Sequence, residues 1–280
     1  MKSDAALPLV ATAALIGFAS NSILCRMALL EDGTIDPASF TSIRLMAGAA
    51  TLTLLSATRG KPPLARGNWS SAFALFLYAI AFSLAYVQLT AATGALILFT
   101  LVQVTMIGAG MFGGERLRLV QWSGLMLALA GLVILCAPGV RAPHPGAAAS
   151  MAIAGVSWGV YSLRGRRSID PLLDTTGNFC RAVPLAFLVS AIALRTFEVT
   201  ARGALLAIAS GALASGVGYS LWYAVVPRIG ATVASVLQLL VPVLAALAGV
   251  VVIGEPVTTR LVVAGVATIG GVAMVLKKAP

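Results

Sequence analysis

Among the polar and charged side chains that fall inside otherwise apolar stretches, nine are the candidates for binding or gating. Asn21, Tyr78, Ser83, Gln103, Trp158, Tyr219 and Gln238 are neutral, whereas Arg44 and Arg181 are cations lying two or more turns inside apolar runs. Amides, hydroxyls and aromatic rings without acids or bases recognise rather than react. They suit noncovalent binding of a small solute with an apolar body and a few hydrogen-bonding ends, and they suit a phosphate poorly. A mid-span arginine costs roughly 2.5–3.5 kcal/mol to insert. Two readings stand for this pair: a charge that meets a substrate carboxylate or closes a gate, or an arginine that satisfies helix carbonyls or snorkels outward.

Each neutral residue has a structural alternative as well. Ser and Thr in membrane helices bond back to their own backbone or across a helix contact. Tyr86, Trp222 and Tyr223 stand near span ends, where rings anchor at the interface. Tyr78 and Trp158 sit deeper, and Asn21 and Gln238 are near mid-span, where an unsatisfied amide is costly. Reactive constellations are absent. The three cysteines, Cys25, Cys136 and Cys180, have no Cys-x-x-Cys spacing, and one histidine, His144, cannot build a metal cage. No cofactor motif is present. Gly155-Val-Ser157-Trp-Gly159 matches a hydrolase elbow literally, but such an elbow needs a strand before it and a histidine in reach. Here both sides read as helix, and the same residues spell a Gly-x-x-x-Gly packing face. No Asp or Glu falls at mid-span, so no carboxylate offers itself as a proton carrier.

The elements that must position these residues follow from composition. Of 280 residues, 59% are hydrophobic and 10% charged, against the roughly 25% charged residues that coat a soluble domain. Lipid must be the solvent. The net charge of +10 is spread through short loops between apolar runs, which is the pattern of membrane loops rather than a nucleic-acid surface. The apolar runs predict ten helices, at about 6–29, 37–58, 69–90, 92–112, 118–137, 147–164, 172–195, 203–224, 230–252 and 258–277. Breaks fall at Gly, Pro and charge, among them Asp32-Gly33, Gly113-Gly114-Glu115-Arg116, Pro227-Arg228 and Gly254-Glu255-Pro256. Pro184 and Pro242 fall inside spans and allow kinks. Glu115 and Glu255, just before spans five and ten, read as helix-start caps.

The chain repeats itself. Phe82-Ser83-Leu84-Ala85-Tyr86 followed by Gly114-Glu115 recurs as Tyr219-Ser220-Leu221-Trp222-Tyr223 followed by Gly254-Glu255. Gly17 and Arg26 recur as Gly155 and Arg164, and Ile35-Asp36-Pro37 recurs as Ile169-Asp170-Pro171. Residues 1–140 and 141–280 thus form two five-span units. An odd number of spans forces the second unit to lie inverted to the first, as in alternating-access transporters. With the N-terminus in the cytoplasm, the inner loops collect Lys2, Arg59, Lys61, Arg66, Arg116, Arg118, Arg164, Arg166, Arg167, Arg228, Lys277 and Lys278. The outer loops collect only Arg26, Arg141, Arg195, Arg202 and Arg260. That asymmetry predicts both termini inside.

These features resemble the drug/metabolite transporter superfamily, specifically its ten-helix EamA-type exporters. The resemblance rests on Gly17…Arg26, Arg44 after Pro37, the two Gly-Glu turns and Ala234-Ser235…Pro242, and it covers the whole chain. Within the superfamily the chain is most similar to exporters of aromatic and other neutral amino acids. The resemblance implies an all-α membrane protein of ten transmembrane helices in two inverted five-helix repeats around a central cavity. Asn21, Tyr78, Trp158 and Gln238 would project into that cavity. The expected partners are a small-molecule substrate and the bilayer, with no nucleic acid, and the chain is expected to work as a monomer in a bacterial inner membrane. Drugs, sugars and nucleosides remain alternative substrates, and a non-transporting membrane protein or an intramembrane enzyme the alternative classes. Small four-helix relatives carry a first-span Glu for proton exchange. This chain has Ser20-Asn21 there, so their coupling does not carry over.

Overall fold

The computed structural model describes residues 6–30, 34–58, 60, 62, 64–113, 118–137, 142–166, 168–238 and 240–276. The Asp32-Gly33 break, the Gly114-Glu115 turn, several loop cations and the Ser235 side chain lie outside what is described. The helices are α1 (Ala6–Leu29), α2 (Pro37–Ala57), α3 (Trp69–Tyr86), α4 (Ala91–Phe112), α5 (Leu119–Cys136), α6 (Pro145–Gly165) and α7 (Pro171–Ile192). They continue with α8 (Ala201–Ala209), α9 (Gly218–Gln238), α10 (Leu240–Ala248) and α11 (Thr259–Leu276). Two π-helical segments, Ser210–Val217 and Gly249–Ile253, extend α8 and α10. No strand occurs among the described residues, and a single isolated antiparallel bridge pairs Ile35 with Val199. Eight helical stretches are long and apolar enough to cross a bilayer, and Leu240–Ile253 and Thr259–Met274 are shorter apolar stretches.

Local chemistry starts these helices where the breaks predict. Asp36, before Pro37, accepts from the backbone N–H of Ala38 (3.0 Å) and Ser39 (2.9 Å). Asp170, before Pro171, accepts from Leu173 (3.2 Å) in the same way. An oxygen at the N-cap and a proline at the first helical position satisfy or remove donors that have no intrahelical partner. The doubled Asp-Pro motif is thus a doubled helix start.

Contacts between helix ends fix the direction of each span. Let the lower face be the one where α1 begins. Arg26 near the top of α1 meets Glu255 and the top of α3, and Glu255 in turn meets the top of α4. The loops before α2 and α8 pair there as well. Arg164 at the end of α6 meets Asn68 and Ser71 at the start of α3, on the lower face. So α1 runs up while its counterpart α6 runs down, and the two halves are inverted relative to each other. One expectation is modified. Between α8 and α10 the sequence predicts a break at Pro227-Arg228, yet the backbone is helical throughout Gly218–Gln238. The chain still reverses between Tyr223 and Glu255. Thr200 is at the upper face, Tyr223 lies beside Gly165 at the lower face, and Glu255 is back at the upper face. Proline ends a hydrogen-bond ladder without forbidding helical dihedrals on either side.

The burial pattern suits lipid. Large apolar side chains such as Leu119, Val133, Leu188 and Val266 are exposed around the bundle, while Asn21, Ser83, Thr100, Gln103 and Ser215 are buried. Because lipid tails are as apolar as leucine, packing rather than hydrophobic transfer holds such helices together, and small residues let them approach. Gly155 and Gly159 show this: a Cβ on either would come within 2.7 Å of Leu101 or Thr105 on α4. The Gly-x-x-x-Gly reading of that stretch therefore describes the α4–α6 seam.

Candidate functional site

Five helices meet at the seam between the halves, and their rings nearly fill it. Phe18, Asn21 and Ser22 come from α1, Tyr78 and Phe82 from α3, and Leu98 and Phe99 from α4. Trp158 from α6 and Tyr219 from α9 complete a cavity of about 20 Å³. One water needs roughly 10–15 Å³, so this conformation is closed around the site. The rings are mutually packed. Tyr78 and Trp158 have centroids 4.9 Å apart, Trp158 and Tyr219 5.2 Å, and Phe18 and Tyr219 5.6 Å.

A second, polar cavity of about 40 Å³ lies below the first, walled by Asn68, Ser71, Tyr161, Arg164, Asp174 and Asn178 among others. Tyr161 borders it and stacks at 5.4 Å and 29° on Trp158, which borders the upper one. This ring pair is the partition between the two spaces.

Asn21 is held from across the seam. Ser210 Oγ donates to its Oδ1 at 2.9 Å and Ser215 Oγ does so at 3.4 Å. Both serines belong to the π-helical segment, whose wider turn was not predicted. Gly211 within it lies so close to α2 that a Cβ would sit 2.1 Å from the Arg44 carbonyl oxygen. A π-bulge inside a helix commonly marks a functional position, and this one contacts both Asn21 and the backbone of Arg44.

Arg44 is 2% exposed and leads the fully buried side chains of the described residues by volume. Its Nη2 donates to Tyr78 Oη at 3.1 Å, and its Cζ lies 5.3 Å from the Tyr78 ring centroid and 4.9 Å from that of Phe82. Its Nη1 has no hydrogen-bond partner among the described residues. Arginine held against aromatic faces gains about 2 kcal/mol when desolvated, while an unmet buried donor costs about 1–3 kcal/mol. The charge is thus partly compensated and visibly incomplete.

Arg181 has a different surrounding. Its Nη1 donates to Arg66 O (2.8 Å) and Gly177 O (3.0 Å), and its Nη2 to Leu64 O (3.4 Å). Here the carbonyl-satisfying role is realised, and the equivalence of the two arginines in sequence is not an equivalence of environment. Ser83 Oγ accepts from Thr41 Oγ1 at 2.8 Å and donates to Ala79 O at 3.0 Å, binding α3 to α2 away from the cavity wall. Gln103 is buried on α4 one turn below Phe99, and Gln238 is half-buried; neither lines the central cavity.

Both faces are tied across the halves. On the upper face Arg26 Nε contacts Glu255 Oε1 at 3.1 Å, and Arg26 Nη1 donates to the carbonyls of Tyr86 (3.0 Å) and Val87 (2.9 Å). Glu255 Oε2 accepts from Ala91 N at 2.8 Å. Glu255 does sit at a helix start, but at that of α4 rather than its own α11, because the inverted packing brings the two together. On the lower face Asp174 accepts from Arg66 Nε (3.0 Å), Gly67 N (3.1 Å) and the Ser168 hydroxyl. The Arg26–Glu255 pair joins residues 229 apart and was missed from sequence. Its signal was available: both residues belong to the doubled motifs.

Comparison with known proteins agrees with this architecture. The EamA-like transporter family matches the chain twice, over residues 6–137 and 146–277. A Pseudomonas aeruginosa protein, described only as uncharacterized, is 47% identical over 269 residues, covering 96% of this chain and 93% of that protein. A crystal structure at 21% identity superposes with a TM-score of 0.69 over 98% of both chains, which is a likeness of fold. Two family matches, one on each half of a chain whose halves are inverted, settle the affiliation: this multi-pass membrane protein belongs to the EamA-like transporter family.

Proposed function

We propose that this transporter exports small neutral metabolites, first among them amino acids with aromatic or hydrophobic side chains, by alternating access. The observation that carries this reading is the ring-lined cavity at the seam of the inverted halves, with Asn21 and Tyr78 on its wall and the Arg44 guanidinium directly behind Tyr78 and Phe82. Rings supply contact area, and amide, hydroxyl and guanidinium donors fix the polar end. A cavity of about 20 Å³ admits no amino acid, so the halves must part to load it. Parting below separates Arg66 from Asp174; parting above separates Arg26 from Glu255. Alternation of the two moves substrate across the membrane. The loop cations support a bacterial inner membrane with both termini cytoplasmic, and the self-contained seam supports a monomeric unit.

The test is counterflow in proteoliposomes. Vesicles loaded with unlabelled phenylalanine or leucine should accumulate the labelled compound above protein-free vesicles. Absence of counterflow with every amino acid tried overturns the substrate assignment. Rates unaffected by an imposed pH gradient identify facilitated diffusion, in line with the lack of mid-span carboxylates.

A further inference from the structure

The donors and acceptors around the central cavity are unequal in number. Arg44 lies seven residues inside α2, about 10 Å below its start at 1.5 Å per residue. It has one unmet N–H group and leans on the two rings, Tyr78 and Phe82, that wall the cavity. Asn21 Oδ1 is already occupied by two serine hydroxyls, so what Asn21 offers the cavity is its amide N–H. Tyr78 accepts from Arg44 and keeps its own hydroxyl proton to donate.

Among the described residues no carboxylate stands against these donors. The nine Asp and Glu residues of the chain are Asp4, Glu31, Asp32, Asp36, Glu115, Asp170, Asp174, Glu198 and Glu255. By sequence none falls at the middle of an apolar run, and the described ones, Asp36, Asp170, Asp174, Glu198 and Glu255, lie at helix ends or between helices. A buried cation without a counter-ion is completed by an anionic ligand, and a charge-assisted pair in such surroundings is stronger than a neutral one. A ligand ammonium entering the same space finds a fixed positive charge and no carboxylate, which is unfavourable.

We propose that the cavity recognises its ligand through a carboxylate alone, and that its preferred substrates are monocarboxylates with an apolar, aromatic body. Arylalkanoates and aromatic 2-oxo acids then bind at least as well as the matching amino acids, and the matching amines do not bind. The inference rests on the reading of this cavity as the substrate site and extends the class that site takes from neutral amino acids to anionic aromatic carboxylates. Arg44 is the residue that sets the preference.

Two readouts on the full-length protein separate this inference from the export reading. The first is competition with labelled phenylalanine counterflow by 3-phenylpropionate, phenylpyruvate and phenethylamine. The second is a titration of tryptophan fluorescence in detergent with the same three compounds, with Trp158→Phe identifying the cavity signal. The acids should compete and quench, and the amine should do neither at a hundredfold higher concentration. Arg44→Gln should weaken the acids roughly 10- to 100-fold, the value of a hydrogen bond to a charged group, while Arg44→Lys should recover part of the loss. If Arg44→Gln fails to fold, acid against amine on the unaltered protein still decides. Equal action of amine and acid, no binding of any of the three, or Arg44→Gln without effect on the acids overturns the inference. Acid-selective quenching that depends on Arg44, with no counterflow, overturns the export reading and leaves this one standing. Counterflow of phenylalanine inhibited equally by the amine does the reverse.

Discussion

Glu255→Gln removes one charge from the upper seam and leaves its shape nearly intact. In the structure Glu255 bridges the halves twice, to Arg26 at 3.1 Å and to Ala91 N at 2.8 Å, with side-chain exposures of 13% for Arg26 and 10% for Glu255. A fully exposed pair is worth about 0.2–1 kcal/mol, whereas breaking a buried one costs about 3–5 kcal/mol. At this intermediate burial, and with the amide still able to accept from Ala91, a coupling of about 1–3 kcal/mol is expected, which shifts the upper-closed population roughly 5- to 150-fold. The assay is the labelling rate of Ser22→Cys, on the cavity wall, in a chain whose three native cysteines are replaced. A membrane-impermeant maleimide is added to the side where α1 ends. Labelling should rise by that factor in Glu255→Gln and in Arg26→Gln, and the double variant should rise no further than the singles. Unchanged labelling, or effects that multiply in the double variant, would refute a closing role for the pair.

The packing makes further commitments. Gly211→Ala places a Cβ 2.1 Å from the Arg44 carbonyl and should destabilise by about 1–3 kcal/mol, read as a lower Tm in detergent. Gly265→Ala, with nothing within 4 Å, should leave the Tm unchanged. Trp158→Ala removes three ring contacts and merges the two seam cavities. Counterflow should fall by roughly tenfold or more at about 0.5–1.5 kcal/mol per ring pair, with the helical circular dichroism preserved. Arg181→Gln releases the carbonyls of Leu64 and Arg66 and should speed amide hydrogen exchange over residues 64–68, leaving the loop at Ile35 protected.

How much of this was readable in the residues differs from part to part. The doubled Gly-Glu and Asp-Pro motifs led directly to two inverted five-span units, because an odd number of crossings permits no other arrangement. Asn21, Tyr78, Trp158 and Tyr219 were singled out as polar or aromatic groups deep in apolar runs, and the fold brings all four to one cavity. Ser83, Gln103 and Gln238 have the same credentials in sequence, yet Ser83 faces α2 and the other two stand off the wall. Which way a span is rotated about its axis is set by its neighbours, and a helix that is apolar nearly all round carries little record of it. The two arginines show the same limit: equivalent places in the repeat, but carbonyl partners for Arg181 and an unmet N–H for Arg44. The π-helical turn at Ser210–Val217 has no sequence rule of its own, since it arises where Gly211 lets α2 approach. Closure of the cavity is a property of one conformation, and residue types do not encode which conformation is populated.

The central claim is that the two halves must part for transport to occur. Ile35 and Val199 offer the direct measurement. They form an antiparallel bridge across the upper seam, flanked by Asp36 N to Glu198 O (2.8 Å) and Thr200 N to Thr34 O (2.8 Å). Such a non-hydrogen-bonded pair has Cα atoms about 4.5 Å apart, within the range of roughly 4.4–6.8 Å for a disulfide. With native cysteines replaced, Ile35→Cys/Val199→Cys should lose counterflow on oxidation and regain it on reduction. A fully oxidised protein that still exchanges substrate at the reduced rate would contradict the account.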